Sequence, residues 1–128
     1  MYLLDTHTLI WALTGSQELS QKVSSLFITE ESIYVSIASI WEIGIKQSLK
    51  RADFEIGFTV LDIAHECEKL NITILPIRPK DIQKVVELPF IHRDPFDRII
   101  ISQAITNNLM LLTKDHIIPQ YGELKTLW

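Results

Sequence analysis

The sequence is poor in cysteine, glycine and proline, and it contains no long apolar run. Its one cysteine, Cys67, excludes an intramolecular disulfide and a zinc site built from several cysteines. Because Cys67 lies within a helix-like pattern, we expect a thiol packed in the core. No segment approaches the ~20 consecutive apolar residues that cross a bilayer, and the first residues include no basic leader region. We therefore expect a cytoplasmic protein.

Basic residues are also few for a protein that binds nucleic acid. The chain has 12 Lys and Arg against 16 Asp and Glu, which gives a net charge of -4. This balance argues against binding through a broadly basic surface, so an RNA substrate would need local positive charge. With 128 residues, 47% of them hydrophobic, the chain is predicted to form one globular domain over residues 1–128.

Strand-like and helix-like patterns alternate along the chain. The predicted strands are Tyr2–Leu4, Ile33–Val35, Ile72–Ile77, Leu109–Leu112 and a short one that includes Leu124–Leu127. The predicted helices are Thr8–Leu13, Glu18–Ile28, Ile37–Leu49, Phe58–Leu70, Lys80–Glu87 and Pro95–Thr106. Such alternation predicts an α/β fold, a three-layer α/β/α sandwich with a mainly parallel central sheet. Sites in these sheets gather at the carboxyl ends of the strands.

Four acidic residues fall at or near that edge. Asp5 ends the first strand, and Asp115 follows the fourth. Glu42 lies early in the helix after the second strand, and Asp97 lies in the first turn of the last helix. Carboxylates that converge repel one another unless they bind a proton or a cation. Magnesium and manganese prefer oxygen ligands and assist phosphodiester hydrolysis, so the pattern predicts a metal-dependent site.

Each acid also has a structural interpretation. Asp94 reads as the N-cap of a helix that begins at Pro95, and we favour that role for it. The segment from Ser39 to Glu42 fits a capping box. Asp5 and Asp115 have the positions of turn residues at strand ends. Independent capping does not require four acids at one edge, and their joint placement favours a functional site.

Several basic and aromatic residues lie near the predicted acids. Six candidates for contacts with an RNA backbone are Lys46, Lys50, Arg51, Arg93, Arg98 and Lys114, although solvated surface charge is the role we favour for most of them. We single out Arg98 and Lys114, which adjoin Asp97 and Asp115, although each has that acid as an alternative partner. His7, His92 and His116 are candidates for proton transfer or RNA orientation, with a structural hydrogen-bonding role favoured for each. Trp11 and Trp41 are expected in the core or in a subunit contact rather than stacked on bases.

Four segments of the chain resemble the PIN domain family (named for the PilT N-terminus), and more closely the VapC-like toxins of bacterial toxin–antitoxin pairs. They are MYLLDTHTLIWAL, SIASIWEIGIK, LPFIHRDPFDRIIISQA and LMLLTKDHIIPQYG, and they occur in the family's order. The run HRDPFDR followed by IIISQA is the most specific of them. The resemblance covers nearly the whole chain.

This resemblance implies both an activity and a site. It assigns Asp5, Glu42, Asp97 and Asp115 as the acids that bind metal. Asp94, Thr6 and Thr113 are secondary candidates, and Arg98, Lys114, His92 and Arg93 are candidate substrate contacts. The implied activity is that of an endoribonuclease dependent on Mg²⁺ or Mn²⁺. The implied partners are an RNA substrate, a second copy of the chain and a small antitoxin protein.

Two other functions fit the sequence less well. A phospho-acceptor receiver domain is also a parallel α/β unit with an acidic magnesium pocket. In domains of that kind, however, two adjacent acids follow the first strand. Here that position offers only Asp5, and Asp53 follows the basic end of a helix. A PIN-like interaction module without activity is the other alternative, but all four acids are present.

Overall fold

Helices and strands alternate along the chain as predicted. The computed structural model describes residues 1–29, 32–50 and 54–128. Its elements are β1 (Tyr2–Leu4), α1 (Thr6–Thr14), α2 (Gln21–Thr29), β2 (Ile33–Ser36), α3 (Ile37–Ser48), α4 (Val60–Lys69), β3 (Ile72–Leu75), α5 (Pro79–Glu87), α6 (Pro95–Thr106), β4 (Met110–Leu112), a 3₁₀ turn (Ile118–Gln120) and β5 (Thr126–Leu127). The bounds of β1 and α6 agree with the prediction. Arg51 and Asp53 lie outside the described residues.

Several elements are shorter than predicted. Helix α2 begins at Gln21 rather than Glu18 because the Ser20 side chain accepts a hydrogen bond from the first turn. Helix α4 begins after Thr59, which forms a capping box, and not at Phe58. Strand β3 ends before Pro76 and β5 covers only Thr126–Leu127, so the ranges Ile72–Ile77 and Leu124–Leu127 were too long.

All pairs in the central sheet are parallel, and the strand order is β3-β2-β1-β4-β5. Leu4 at the end of β1 is in register with Val35 on one side and Leu112 on the other. The chain first builds outward from β1 to β3 and then crosses to β4, so the order reverses between β1 and β4. Ligands bind at such switch points, outside the carboxyl ends of the strands. A receiver domain has the different order 2-1-3-4-5, so this sheet contradicts the receiver alternative.

Each face of the sheet is covered by its own hydrophobic cluster. Leu3 and Leu111 belong to the cluster that includes Ile101 of α6, whereas Leu4 and Leu112 belong to the opposite one. Neighbouring residues of a strand point to opposite faces, so these strands are apolar throughout. The predicted three-layer sandwich is therefore confirmed.

The predicted packing of Cys67 is also confirmed. Its thiol is fully buried in the cluster beside β1 and α1, and burial raises the pKa of the thiol to about 11. Among the helices that the structure describes, none combines the length and the hydropathy needed to cross a membrane.

One fully buried aspartate, Asp81, joins α5 to α6 on the other face of the sheet. It is only 1% exposed. Its carboxylate accepts hydrogen bonds from the N–H of Arg78 (2.9 Å) and from the hydroxyl of Thr106 (2.5 Å). The hydroxyl of Ser102 donates to its backbone carbonyl. These bonds hold the two helices together in a region remote from the predicted acids.

Candidate metal centre

Asp5 lies at the switch point because β1 ends one residue before it. Its N–H donates to the carbonyl of Leu112 (3.2 Å), which continues the pairing of β1 with β4. The Asp5 carboxylate caps α1 and accepts a hydrogen bond of 2.7 Å from the N–H of Thr8. Burial raises the pKa of Asp5, and hydrogen bonds from Thr113 and Thr8 lower it in part. Asp5 is therefore a helix cap and a desolvated acid at the same time.

Asp97 projects from the first turn of α6. Asp94 caps this helix, since its Oδ1 accepts from the N–H of Phe96 (2.8 Å) and of Asp97 (3.1 Å), which confirms the structural role favoured for Asp94. Burial and the charge of Asp94 raise the pKa of Asp97 to about 7, although His92 lowers it in part. Glu42 and Asp5 also raise this pKa. The charges of Asp5, Glu42 and Asp94 therefore all act on Asp97.

Glu42 is not part of a capping box, contrary to the structural interpretation of that segment. Helix α3 begins one turn earlier than such a box requires, because Ser36 is its N-cap. The Thr6 hydroxyl lies 2.6 Å from Glu42 Oε2 and 3.1 Å from the Ser39 hydroxyl. Lys46, one turn along α3, lies 3.3 Å from Glu42 Oε1. The carboxylate of Glu42 is thus held in place by side chains from α1 and α3.

Asp115 is supported by the loop after β4. Burial alone would raise its pKa, but hydrogen bonds from the N–H groups of Ile117 (2.6 Å) and Ile118 (3.1 Å) and from His92 bring the pKa below its ordinary value. The Thr113 hydroxyl accepts from the N–H of Asp115 at 3.1 Å. This loop therefore presents a carboxylate that is ionised at neutral pH.

His92 lies between two of the acids, which its position in the sequence does not predict. Its Nε2 is 3.2 Å from Asp97 Oδ2 and 3.4 Å from Asp115 Oδ2. The N–H of Asp94 donates to Nδ1 at 3.2 Å, so Nε2 carries the ring proton and donates toward the carboxylates. One ligand atom from each of His92, Asp97 and Asp115 lies within 4.8 Å of the others. The predicted ends of helices and strands do not reveal this contact, because it depends on the path of the loop after α5.

Three of the four predicted acids open into one cavity of about 330 Å³, and Glu42 is not among the residues that line it. The residues that line it are Asp5, His7, Trp11, Asp97, Lys114, Asp115, His116 and Ile118. The donor set is rich in carboxylate oxygen, which fits a hard divalent cation such as Mg²⁺ or Mn²⁺. The raised pKa of Asp97 fits as well, because buried like charges favour the uptake of a cation or a proton.

Arg98 is not placed to contact a substrate, in contrast to the prediction. It is 7% exposed. Its guanidinium donates to the carbonyls of Val85 (3.0 Å) and Pro89 (3.1 Å), and it makes longer contacts at 3.4 Å with three further oxygens, those of Leu88, His92 and the Tyr121 hydroxyl. A sequence cannot distinguish an arginine that binds loop carbonyls from one that faces solvent. Arg98 anchors the loop that carries His92.

Tyr121 is a further residue that sequence reasoning missed. Its hydroxyl accepts a hydrogen bond of 2.7 Å from the N–H of His92, and its ring is buried. No motif in the sequence links this tyrosine to the site.

Of the predicted cations Lys50, Arg93 and Lys114, only Lys114 lines the cavity. Lys114 lines it, but its Nζ is 2.6 Å from Glu18 Oε2 and 5.8 Å from the centroid of the Trp11 ring. Arg93 is exposed, next to His92 in the sequence, and Lys50 is exposed just after α3. His7 and His116 line the cavity.

Neither Trp11 nor Trp41 lies in the core, so that half of the prediction is wrong, while the subunit contact given as its alternative stays a prediction. Trp41 is 63% exposed, and its ring meets that of Phe96 edge-on at 5.3 Å. Trp11 is half-buried and, in the described part of the chain, belongs to neither hydrophobic cluster. Its neighbours are instead His7, Trp128 and Lys114.

The fold and the acid cluster together define a small parallel α/β protein with a carboxylate-lined cavity at its switch point. The PIN domain model matches residues 2–124, so the chain belongs to the PIN domain family. The resemblance seen in the sequence is thereby confirmed at the level of the family. A comparison with curated proteins finds no match.

Solved structures share this fold at low identity. VapBC2 from Rickettsia felis bound to a promoter DNA fragment has a TM-score of 0.74 at 20% identity, over 98% of this chain and 96% of that one. DNA-bound VapBC from Salmonella typhimurium has a TM-score of 0.72 at 14% identity, over 98% and 96%. A toxin–antitoxin complex from Klebsiella pneumoniae has a TM-score of 0.69 at 17% identity, over 100% and 97%. At these identities the likeness establishes the fold alone.

Proposed function

We propose that this protein is a metal-dependent endoribonuclease that hydrolyses RNA phosphodiester bonds and acts as the toxin of a type II toxin–antitoxin pair. The observation that carries the proposal is the cavity lined by Asp5, Asp97 and Asp115, where the pKa of Asp97 is raised to about 7. Membership of the PIN domain family supports nuclease chemistry. Similarity to one toxin–antitoxin complex and to two VapBC complexes supports the role as a toxin.

Asp5, Asp97 and Asp115, which line the cavity, and Glu42, whose charge acts on Asp97, would together hold a magnesium or manganese ion. When bound, the ion supplies activation of a water and neutralisation of charge on the phosphate oxygens. It also reverses the local charge, because the acids alone would repel a phosphodiester. A chain with a net charge of -4 can then attract RNA to one point of its surface.

The chain's own residues hold these acids in place. Thr8 and Thr113 donate to Asp5, and Thr6 donates to Glu42. Partners of this kind orient ligands and are needed for full metal affinity. His92 directs its Nε2–H into the cluster, where it also serves as a donor for a phosphate oxygen of the substrate. Arg93 and Lys114 are the basic residues of the sequence prediction that remain exposed near the site.

A protein partner is part of the proposal. Ile82 and Val86 lie one turn apart on α5 and are 55% and 74% exposed, and Phe90 after the helix is 71% exposed. Exposed apolar groups of this kind are typical of surfaces that bind another protein. We assign the partners as a cognate antitoxin and a second copy of the chain, in the cytoplasm.

The test is to incubate purified protein with a mixed RNA substrate in Mg²⁺, in Mn²⁺ and in chelator. We expect cleavage in either metal and none in chelator. Asp5→Asn and Asp97→Asn should each lower the rate on the order of 10³-fold, because every ~1.4 kcal/mol of lost transition-state stabilisation is tenfold in rate. Asn at position 5 can still accept the hydrogen bond that caps α1, so the fold should survive.

Asp62→Asn is the matched control. Asp62 is an exposed acid in the capping box of α4, outside the cluster, and its replacement should leave cleavage unchanged. Cleavage at full rate in chelator would contradict the metal-dependent mechanism. If the protein binds metal and RNA but does not cleave the RNA in Mg²⁺ or in Mn²⁺, it is instead a PIN-like interaction module without activity.

A further inference from the structure

One wall of the site cavity is formed by side chains that have no part in the proposed metal binding. Beyond the carboxylates, the same cavity of about 330 Å³ is lined by His7, Trp11, Lys114 and His116. These are an aromatic ring, two imidazoles and an ammonium group. Ligand pockets of small molecules begin at ~300 Å³, so there is room for a group of that class beside the acids.

Trp11 is placed in this wall by the register of α1. The helix starts directly after Asp5, and His7 and Trp11 lie one turn apart on it. Their rings are 5.7 Å apart between centroids. Trp128 meets Trp11 edge-on at 5.5 Å and fixes one side of the ring, while Trp128 itself packs on the core. A large aromatic ring is therefore held firmly at the cavity although the core does not need it.

We propose that this wall is a nucleobase subsite, in which one unpaired base of the RNA substrate stacks on Trp11 while its phosphate lies at the acid cluster. This inference rests on the proposed function. Base stacking on aromatic side chains is the common way to bind single-stranded RNA, because every base has a π face. One nucleotide has a part for each of these groups. Its base fits the aromatic ring, and its phosphate fits the lysine and the metal that the acids would hold.

Lys114 supports the same assignment. Its ammonium covers the Trp11 ring at 5.8 Å and pairs with Glu18 at 2.6 Å, and both charged groups are about half exposed. Such exposed ion pairs contribute little net stability. A base can take the place of Lys114 on the ring at small cost, and the ammonium then remains within reach of the adjoining phosphate. Since a base in a duplex already has both faces stacked, the subsite selects single-stranded RNA.

The experiment compares Trp11→Leu with Trp11→Phe and with the control Trp41→Leu, which removes a more exposed tryptophan outside the cavity. The substrates are a single-stranded RNA oligonucleotide and a series that carries one abasic position at a time near the cleavage site. We expect Trp11→Leu to raise KM about 5- to 150-fold, the range of one base stacked on an aromatic ring. Trp11→Phe should restore most of the loss, and Trp41→Leu should not change KM.

The abasic series separates stacking from a structural effect. At one position, removal of the base should raise the KM of the unchanged protein and abolish its difference from Trp11→Leu. Equal losses for Trp11→Leu on every substrate, abasic or not, would overturn the subsite, as would an unchanged KM. If the unchanged protein cleaves no RNA, the proposed function fails, and the same comparison is made on the Kd of the uncleaved oligonucleotide in Mg²⁺. An antitoxin that binds more weakly to Trp11→Leu while KM stays unchanged would assign the wall to that protein and overturn the subsite.

Discussion

Asp81 and Asp97 are two acids of the same chain in opposite surroundings. Asp81 is the more buried, at 1% exposure, yet its oxygens face the N–H of Arg78 and the hydroxyl of Thr106. The Asp97 side chain is 24% exposed and faces other acids, with His92 as its nearby donor. Burial alone therefore does not mark a functional acid.

The difference lies in what surrounds each carboxylate. Hydrogen-bond donors offset the desolvation of a buried charge, and Asp81 stabilises the packing of α5 on α6. Neighbouring acids add repulsion to the desolvation, and for Asp97 the two together raise the pKa to about 7. The first acid strengthens the fold, and the second is the one for which we propose a role in cation binding.

The largest effect that we expect from a test of this comparison is a loss of stability when Asp81 is replaced. Asp81→Ala should lower the free energy of unfolding by about 2–4 kcal/mol, because the N–H of Arg78 and the hydroxyl of Thr106, in partly buried hydrogen bonds, lose their acceptor. Cleavage per folded molecule should stay unchanged. Urea denaturation measures the first quantity, and activity normalised to folded protein measures the second. A loss of activity that exceeds the loss of folded protein would contradict the structural role of Asp81.

A smaller effect, on metal affinity, is expected from the loss of the Thr6 hydroxyl, which contacts Glu42 as the Thr106 hydroxyl contacts Asp81. Thr6→Val removes the hydroxyl that lies 2.6 Å from Glu42 without changing the shape of the side chain. Loss of such a partner commonly weakens metal affinity about 10- to 100-fold, and we expect the lower end because Lys46 still pairs with Glu42. Calorimetric titration with Mn²⁺ provides the measurement. Thr14→Val, at the exposed end of α1, serves as the control, and equal affinities in the two variants would contradict this role of Thr6.

The smallest effect is on the pH dependence of the metal-free protein. The pKa of Asp97 is about 7 in the folded chain, against an ordinary value of 3.8. The folded state thus holds its proton where the unfolded state has released it, so this contribution to stability is present below pH 4 and is lost as pH rises toward 7. We expect Tm to fall by a few degrees over that interval.

Scanning calorimetry from pH 4 to 8 checks this expectation. Added Mg²⁺ should raise Tm more at pH 8 than at pH 5, because the ion competes with the proton for the same carboxylates. In Asp97→Asn both the slope and the metal effect should shrink. A wild-type slope of the opposite sign would contradict the predicted protonation of Asp97.

The positions of Asp5 and Asp97 were open to prediction because local rules govern them. A short apolar strand ends at Asp5, and a helix start with Asp94 as N-cap and Pro95 as first residue sets the direction of Asp97. Parallel strands bring such ends to one edge of the sheet. The family motif points to the same residues.

The rest of the candidate site depends on tertiary contacts that no local pattern encodes. Arg98 follows Asp97 in the sequence, but its guanidinium points to loop carbonyls. His92 reaches Asp115 across 23 positions of the chain. Trp11 has the apolar spacing of a core residue, and only the packing of Trp128 and the cavity beside it reveals a different position.

The anchoring of the loop by Arg98 sets a limit on how this protein can vary. Surface loops commonly tolerate insertions and deletions, since few contacts depend on their length. In the loop between α5 and α6, however, the carbonyls of Leu88, Pro89 and His92 all accept from the one guanidinium of Arg98. An added or deleted residue would shift these carbonyls out of reach and move the imidazole with them, so this loop should keep its length even where its outward-facing side chains change.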